Sequence, residues 1–217
     1  DKVVDTVFSA DLTIMEEANE FIDRVSNGGV LPMITSCSPG WVKFAEFYYP
    51  EQLAHLSTCK SPQQMGGAVI KTYYAQKMGI EAKDIYHVSV MPCTAKKYEK
   101  SRDELKVNGI PDVDTVITTR ELARMINNAN IDFARLPDGK FDDMLGDSTG
   151  AADIFGATGG VMEAALRTVY SVLVGKELDD VNLTAVRDME GIKEATIDIA
   201  GKAVKVAVAS GSGNAKA

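Results

Sequence analysis

Val88-Ser89-Val90-Met91-Pro92-Cys93-Thr94-Ala95-Lys96-Lys97 reads as an apolar run that stops at a proline, presents a thiol and turns into a helix. Leu31-Pro32-Met33-Ile34-Thr35-Ser36-Cys37-Ser38-Pro39-Gly40-Trp41 has the same shape. In an open α/β sheet, ligands bind in the crevice at the carboxyl ends of the strands. Two thiols at two such ends, each before a helix start, fit a soft-metal site. The competing reading of the same spacing is two buried structural cysteines.

Strands and helices alternate outward from these two stretches. Thr13-x-x-Glu16 is a capping box, so the first helix is expected from Asp11 or Thr13, with Met15, Ala18, Ile22 and Val25 on its apolar face and a stop at Asn27-Gly28-Gly29. A strand near 30–36 and a helix over Trp41–Tyr49 follow. Ser61-Pro62-Gln63-Gln64 combines a capping box with proline at the first helical position and predicts a helix to Met78. Residues 84–91 and Val113–Ile117 read as strands, and Thr118-x-x-Glu121 caps a helix through Asn128. Residues 134–154 read as a polar surface loop. Gly156-Ala157-Thr158-Gly159-Gly160 opens a helix to Val174, and three β-rich runs close the chain at Leu183–Arg187, Ala195–Ile199 and Val204–Ala209. A final turn at Ser210-Gly211 should lead into another helix. The alternation predicts an α/β fold, doubly wound, with mostly parallel sheet and flanking helices. Residues 1–217 are expected to be one piece, with a possible two-lobed split near 134–154.

A chain of 217 residues with 45% apolar and 25% charged residues is ordinary for a globular protein. A net charge of −8 without any basic run argues against nucleic acid. Three scattered cysteines are no disulfide framework and fit a reducing, cytoplasmic setting. No stretch is long and apolar enough for a membrane span, and the start has no signal-peptide pattern. The chain does not begin with methionine, so an internal or processed piece is expected.

A thiolate at a helix N-terminus is stabilised by the dipole and the free N–H groups, and Lys96 would add a cation beside Cys93. The Gly156–Gly160 turn offers another bare helix start suited to an anion, although helix packing explains it equally. These features point to an anionic, sulfur-ligated group. A cuboidal iron–sulfur cluster needs four cysteines; the chain has three, and Cys59 sits mid-segment. On the first helix Glu17, Glu20 and Arg24 share a stripe. A solvated face with a Glu20–Arg24 ion pair is the plain reading, while a carboxylate proton wire would use the same residue types.

Thr35-Ser36-Cys37-Ser38-Pro39-Gly40-Trp41 resembles the first signature of the iron-only (di-iron) hydrogenases, usually Thr-Ser-Cys-Cys-Pro-Gly-Trp. Met91-Pro92-Cys93-Thr94-Ala95-Lys96-Lys97-Tyr98-Glu99 resembles the second. Ala10–Ala18, Lys60–Gln64 and Phe155–Ala164 resemble further segments of that catalytic domain, in order and spacing.

The resemblance implies a hydrogen cluster: a four-iron cubane bridged by a cysteine to a di-iron unit, reducing protons reversibly to dihydrogen with electrons from a ferredoxin-type carrier. It implies that Cys37 relays protons and that Glu17, Glu20, Ser57 and Arg24 carry them from the surface. It places Cys93 as a cubane ligand and Ser38 where a second ligand cysteine belongs. Lys96 would hold a cyanide, and Met91, Pro62, Gln63 and Gly156 would line the di-iron pocket. Two further cluster cysteines belong beyond the last strand. The chain alone is therefore expected to be cluster-free, inactive and prone to self-association through exposed apolar surface. A non-enzymatic iron–sulfur assembly or sensor relative is the main alternative, and a domain binding some other anion is a third.

Overall fold

Helix formation begins earlier than the Thr13 signal implies. The structure, a computed structural model, describes residues 1–143, 146–179, 184–185 and 191–216. Helix α1 spans Thr6–Asn27. Asp5 accepts the Val7 N–H at 3.0 Å, the bond a capping side chain makes, so the start lies there. Thr13 is 1% exposed and mid-helix, and the capping box read at Thr13-x-x-Glu16 is not used.

The expected strand at 30–36 is reduced to a single parallel bridge, Ile34 to Leu56. Pro32 has no N–H to offer a ladder, and only Ile34 N–H to His55 (2.8 Å) and Ser57 N–H to Ile34 (2.7 Å) form. Helix α2 spans Pro39–Tyr48. Helix α3, Pro62–Val69, runs through a π-helical turn, Ile70–Tyr74, into α4, Ala75–Met78, and stops at Gly79 with φ 66°. Ser61 is the N-cap residue, but its hydroxyl makes no cap and donates to Glu99 instead.

Strand β1 (Val88–Met91) leads through α5 (Ala95–Glu99) and the small hairpin β2 (Lys106–Val107) and β3 (Ile110–Pro111) to β4 (Thr115–Thr118). β1 and β4 pair in parallel, Val88 opposite Thr115 and Met91 opposite Thr118. Helix α6, Thr119–Asn128, carries the capping box read from sequence: Thr118 Oγ1 accepts the Glu121 N–H, and Glu121 accepts the Thr118 N–H. Thr118→Ala should cost about 1 kcal/mol of stability. A urea midpoint equal to the parent's would show that this cap is idle.

Helix α7, Gly160–Val174, is followed by β5 (Thr184–Ala185), β6 (Ile192–Ile199), β7 (Lys202–Ala209) and the short α8 (Ser212–Ala215). The α/β class with flanking helices holds. The closing runs, counted from sequence with the parallel units, pair antiparallel instead. Ala200 (φ 53°) and Gly201 (φ 80°) form a two-residue turn, which can join only antiparallel neighbours. Most of the run expected at Leu183–Arg187 lies outside the described residues.

Two compact units emerge: Asp1–Ala10 with Lys60–Ser148, and Asp11–Cys59 with Thr149–Ala217. One junction falls inside 134–154; those at 10/11 and 59/60 have no signal in composition. In the second unit Ala18 of α1, Leu166 and Val169 of α7 and Ile199 of β6 form the core, with Phe21, Ile22 and Val206 packed around them. In the first unit Val113 and Val116 are buried beside two ion pairs, Lys60–Asp112 (2.5 Å) and Lys71–Asp114 (2.6 Å). Among the described residues no helix is long and apolar enough to cross a membrane.

Candidate active site

Glu17 decides the character of the α1 stripe. It is 1% exposed, while Met15, assigned from sequence to the apolar face, is 47% exposed. The reading of this stripe as a solvated face is therefore overturned. Neither carboxylate oxygen of Glu17 has a hydrogen-bond partner. Burial pushes its pKa up to about 7; the nearby Ser57 hydroxyl works against this, the Glu20 charge adds to it and the Ser36 N–H offsets a little more.

Three residues along the helix, Glu20 has the opposite environment. Ser57 Oγ donates to its Oε2 at 2.9 Å, and the Thr58 N–H donates at 3.0 Å. Arg24 Nε and Nη2 donate to Oε1 at 3.0 and 2.5 Å, and the Cys59 thiol donates to Oε2 at 3.5 Å. Burial acts to raise the Glu20 pKa, but these donors outweigh it and the net shift is downward. Two carboxyls one helical turn apart thus hold different protonation states near neutrality, the pattern of an acid–base pair.

Arg24 is not the surface end expected from the resemblance. Its side chain is 11% exposed. Besides Glu20 it donates to the carbonyls of Leu56 (2.8 Å), Val30 (3.1 Å), Ala54 (3.3 Å) and His55 (3.4 Å). Its five N–H donors are all engaged, and a guanidinium does not release its proton. Arg24 clamps Glu20 as an anion.

The Glu17 shift has a consequence for stability. Between its ordinary 4.5 and the folded value of about 7, the folded chain keeps a proton that the unfolded chain has lost. Stability therefore falls as pH rises through that window. The loss is about 3 kcal/mol when complete, at ~1.4 kcal/mol per pKa unit. Glu20, shifted downward, acts with the opposite sign and below the ordinary carboxylate range, so the two windows separate. Urea midpoints of Glu17→Gln and parent should differ little in acid, and the variant should gain progressively toward alkaline pH. Parallel curves at every pH would refute the raised pKa.

Cys37 is half-buried and follows the bridged segment. Ser38 is the exposed N-cap of α2, its hydroxyl making no cap bond. Trp41 Nε1 is buried without a partner. Gly156 is exposed with open space where a Cβ would stand. All four belong to the second unit.

Cys93, exposed, follows β1 in the first unit. Lys96 Nζ reaches both Glu99 oxygens at 3.1 Å. Glu99, 5% exposed, also accepts Ser61 Oγ at 2.9 Å and Gln63 Nε2 at 3.0 Å. Gln63 Oε1 accepts Ser89 Oγ at 2.9 Å. Pro62 opens α3, which positions Gln63, and Met91 ends β1. Glu99 is the residue that sequence reasoning missed. Its i,i+3 spacing from Lys96 was the available signal.

Among the described residues no three His, Cys, Asp or Glu side chains gather as a metal site. Cys93 offers one thiolate and Ser38 a hydroxyl, in different units. A cubane asks for four thiolates, and a hydroxyl is a poor substitute. The donor set present does not fit a complete cluster.

The family model of the iron only hydrogenase large subunit, C-terminal domain, matches residues 1–217, and the chain belongs to that family. It is 57% identical over 210 residues to the periplasmic Fe hydrogenase large subunit of Nitratidesulfovibrio vulgaris, covering 96% of this chain and 50% of that one. It is 35% identical over 222 residues to the cytosolic Fe-S cluster assembly factor NAR1 of Sclerotinia sclerotiorum, covering 86% and 39%. Among solved structures, an apo FeFe-hydrogenase HydA1 variant from Chlamydomonas reinhardtii superposes with a TM-score of 0.88 at 41% identity, covering 100% of this chain and 62% of that one. The chain spans half or less of the length of the hydrogenases it matches among curated proteins.

Proposed function

We propose that this chain is the proton-delivering part of an iron-only hydrogenase that reduces protons reversibly to dihydrogen. The observation that supports this is buried Glu17 one helical turn from half-buried Glu20, with Ser57 hydrogen-bonded to Glu20 at 2.9 Å and close enough to act on Glu17. A cluster scaffold needs no such pair. Glu17 is a neutral acid up to about pH 7. The Ser57 hydroxyl can donate and accept, so it can pass a proton between the two carboxyls. The Ser36 N–H acts on Glu17 from the segment that carries Cys37, the proposed inner acceptor. Arg24 keeps Glu20 charged and in place.

Electron chemistry belongs to the cluster that the family implies, with Cys93 as one ligand and Ser38 in another ligand position. Lys96, Met91, Pro62, Gln63 and Gly156 are proposed to line its di-iron part. Glu99 anchors Lys96 and Gln63 together. The electron source is proposed to be a ferredoxin-type carrier. Three cysteines outside any disulfide fit a reducing cytoplasm, although the Nitratidesulfovibrio relative is named periplasmic.

The test is a chimera: this chain, with Ser38→Cys, in place of the matching segment of the Nitratidesulfovibrio hydrogenase, matured anaerobically. Hydrogen evolution from a reduced viologen is expected. A cluster-loaded chimera without hydrogen evolution would favour an assembly role like that in NAR1's name. The chain by itself should bind no stoichiometric cubane, because the matched positions hold one thiolate. About four irons per chain after anaerobic reconstitution, with a cubane EPR signal, would overturn that expectation.

A further inference from the structure

Cys59 is the chain's third thiol, and neither the relay nor the proposed metal positions use it. Its N–H donates to Ser57 Oγ at 3.2 Å, and its thiol donates to Glu20 Oε2 at 3.5 Å. Its carbonyl accepts Ser36 Oγ at 3.2 Å. One residue therefore touches the relay twice and ties it to the segment carrying Cys37.

Valence explains what these contacts do. A serine hydroxyl has one proton to give and two lone pairs. With the Cys59 N–H on one lone pair, the Ser57 proton goes to Glu20 at 2.9 Å, and the other lone pair remains for the Glu17 side. The Cys59 contact thus sets the direction of the bridge. At Glu20, Oε2 is shared by Ser57, the Thr58 N–H and the thiol. An S–H is a weak donor and sulfur a weak acceptor. The thiol steadies the anion lightly and can turn to accept once Glu20 takes a proton. A hydroxyl there would hold the anion harder; a methyl group would not hold it at all.

We propose that Cys59 is a positioning residue of the proton relay: its N–H orients the Ser57 hydroxyl, and its thiol sets how firmly Glu20 keeps its charge. This rests on the reading of Glu17, Ser57 and Glu20 as a proton path. Burial pushes the thiol up to about 12; Ser57 opposes the rise, and Glu20 and Glu17 add to it, so the sulfur stays protonated while the carboxyls titrate. The titratable and charged groups acting on Glu20 are Arg24 and Glu17 from its own helix and Cys59 from the segment after Leu56.

The test reads Glu20 directly. Carbon-13 NMR of labelled glutamate carboxyls is followed across the acid and neutral range in this chain, with Glu20→Gln assigning the resonance. Cys59→Ser should lower the Glu20 midpoint and Cys59→Ala should raise it, each by about half a pH unit, the scale of a weak hydrogen bond. Both substitutions remove the sulfur, so a packing role would move the midpoint the same way in both. Shifts of one sign, or none in either variant, overturn the assignment. In the Ser38→Cys chimera the acid limb of the pH–rate profile should follow the same two directions. If the midpoints move oppositely and that limb stays put, it is the relay reading that fails.

Discussion

Glu17→Gln in the Ser38→Cys chimera should lower hydrogen turnover by at least ~10²-fold at neutral pH, with iron content unchanged. Glutamine keeps the shape of the side chain and removes only the titrating proton. The substitution breaks no hydrogen bond, because neither Glu17 oxygen makes one. It also costs no buried charge, since the acid is neutral below about pH 7. A loss of rate would therefore report proton delivery, not damage to the helix. In the parent, proton reduction should decline as pH rises through about 7, as Glu17 loses its proton, and the variant should show no such limb. Hydrogen evolution by Glu17→Gln at the parent rate would leave Glu17 as a buried structural acid.

The first helix shows where sequence reasoning reached and where it stopped. Glu17, Glu20 and Arg24 were correctly placed on one stripe, because helical spacing is strict. The stripe read as apolar does pack inward at Ala18 and Ile22, but apolar periodicity also made Met15 look inward and gave no sign that Glu17 is buried beside it. The partners that bury Glu17 and Glu20 come from Ser36 and residues 57–59, and no local pattern announces that meeting. Caps were legible when the side chain had no better partner. Thr118 caps as read, whereas Ser61 turns to the buried carboxylate of Glu99. The closing strands were legible as strands, but their direction depended on Ala200-Gly201, a turn too short for a parallel crossover. The cysteine motifs were legible as motifs. The ion pairs Lys60–Asp112 and Lys71–Asp114, which charge the interior of the first unit, join residues 52 and 43 positions apart and left no trace in the spacing.

The glycine turn before α7 sets a structural glycine beside one proposed to line the cofactor pocket. Gly159, with φ 84°, is the N-cap, and Gly160 is the first helical residue. A Cβ on Gly160 would overlap the Ile154 carbonyl oxygen, lie 2.7 Å from its carbon and 3.2 Å from Phe155 Cα. These are backbone atoms. They are held by Ala157 N–H to Ile154 at 3.1 Å and Gly160 N–H to Ala157 at 2.9 Å, so no rotamer can relieve the contact. Gly160→Ala must displace residues 154–157 or unwind the start of the helix that delivers Leu166 and Val169 to the core. The better helix propensity of alanine returns at most ~1 kcal/mol. A net loss of ~3 kcal/mol or more is expected, at the upper end for overpacking. Gly156 provides the contrast: no atom lies within 4 Å of its would-be Cβ and its φ is not positive. Gly156→Ala should keep the parent's stability within about 0.5 kcal/mol while placing a methyl group in the space proposed to hold the cofactor. Urea midpoints of the two variants, compared with turnover in the chimera, read the two roles apart. A Gly160→Ala midpoint equal to the parent's would show that the 154–160 turn can open without cost.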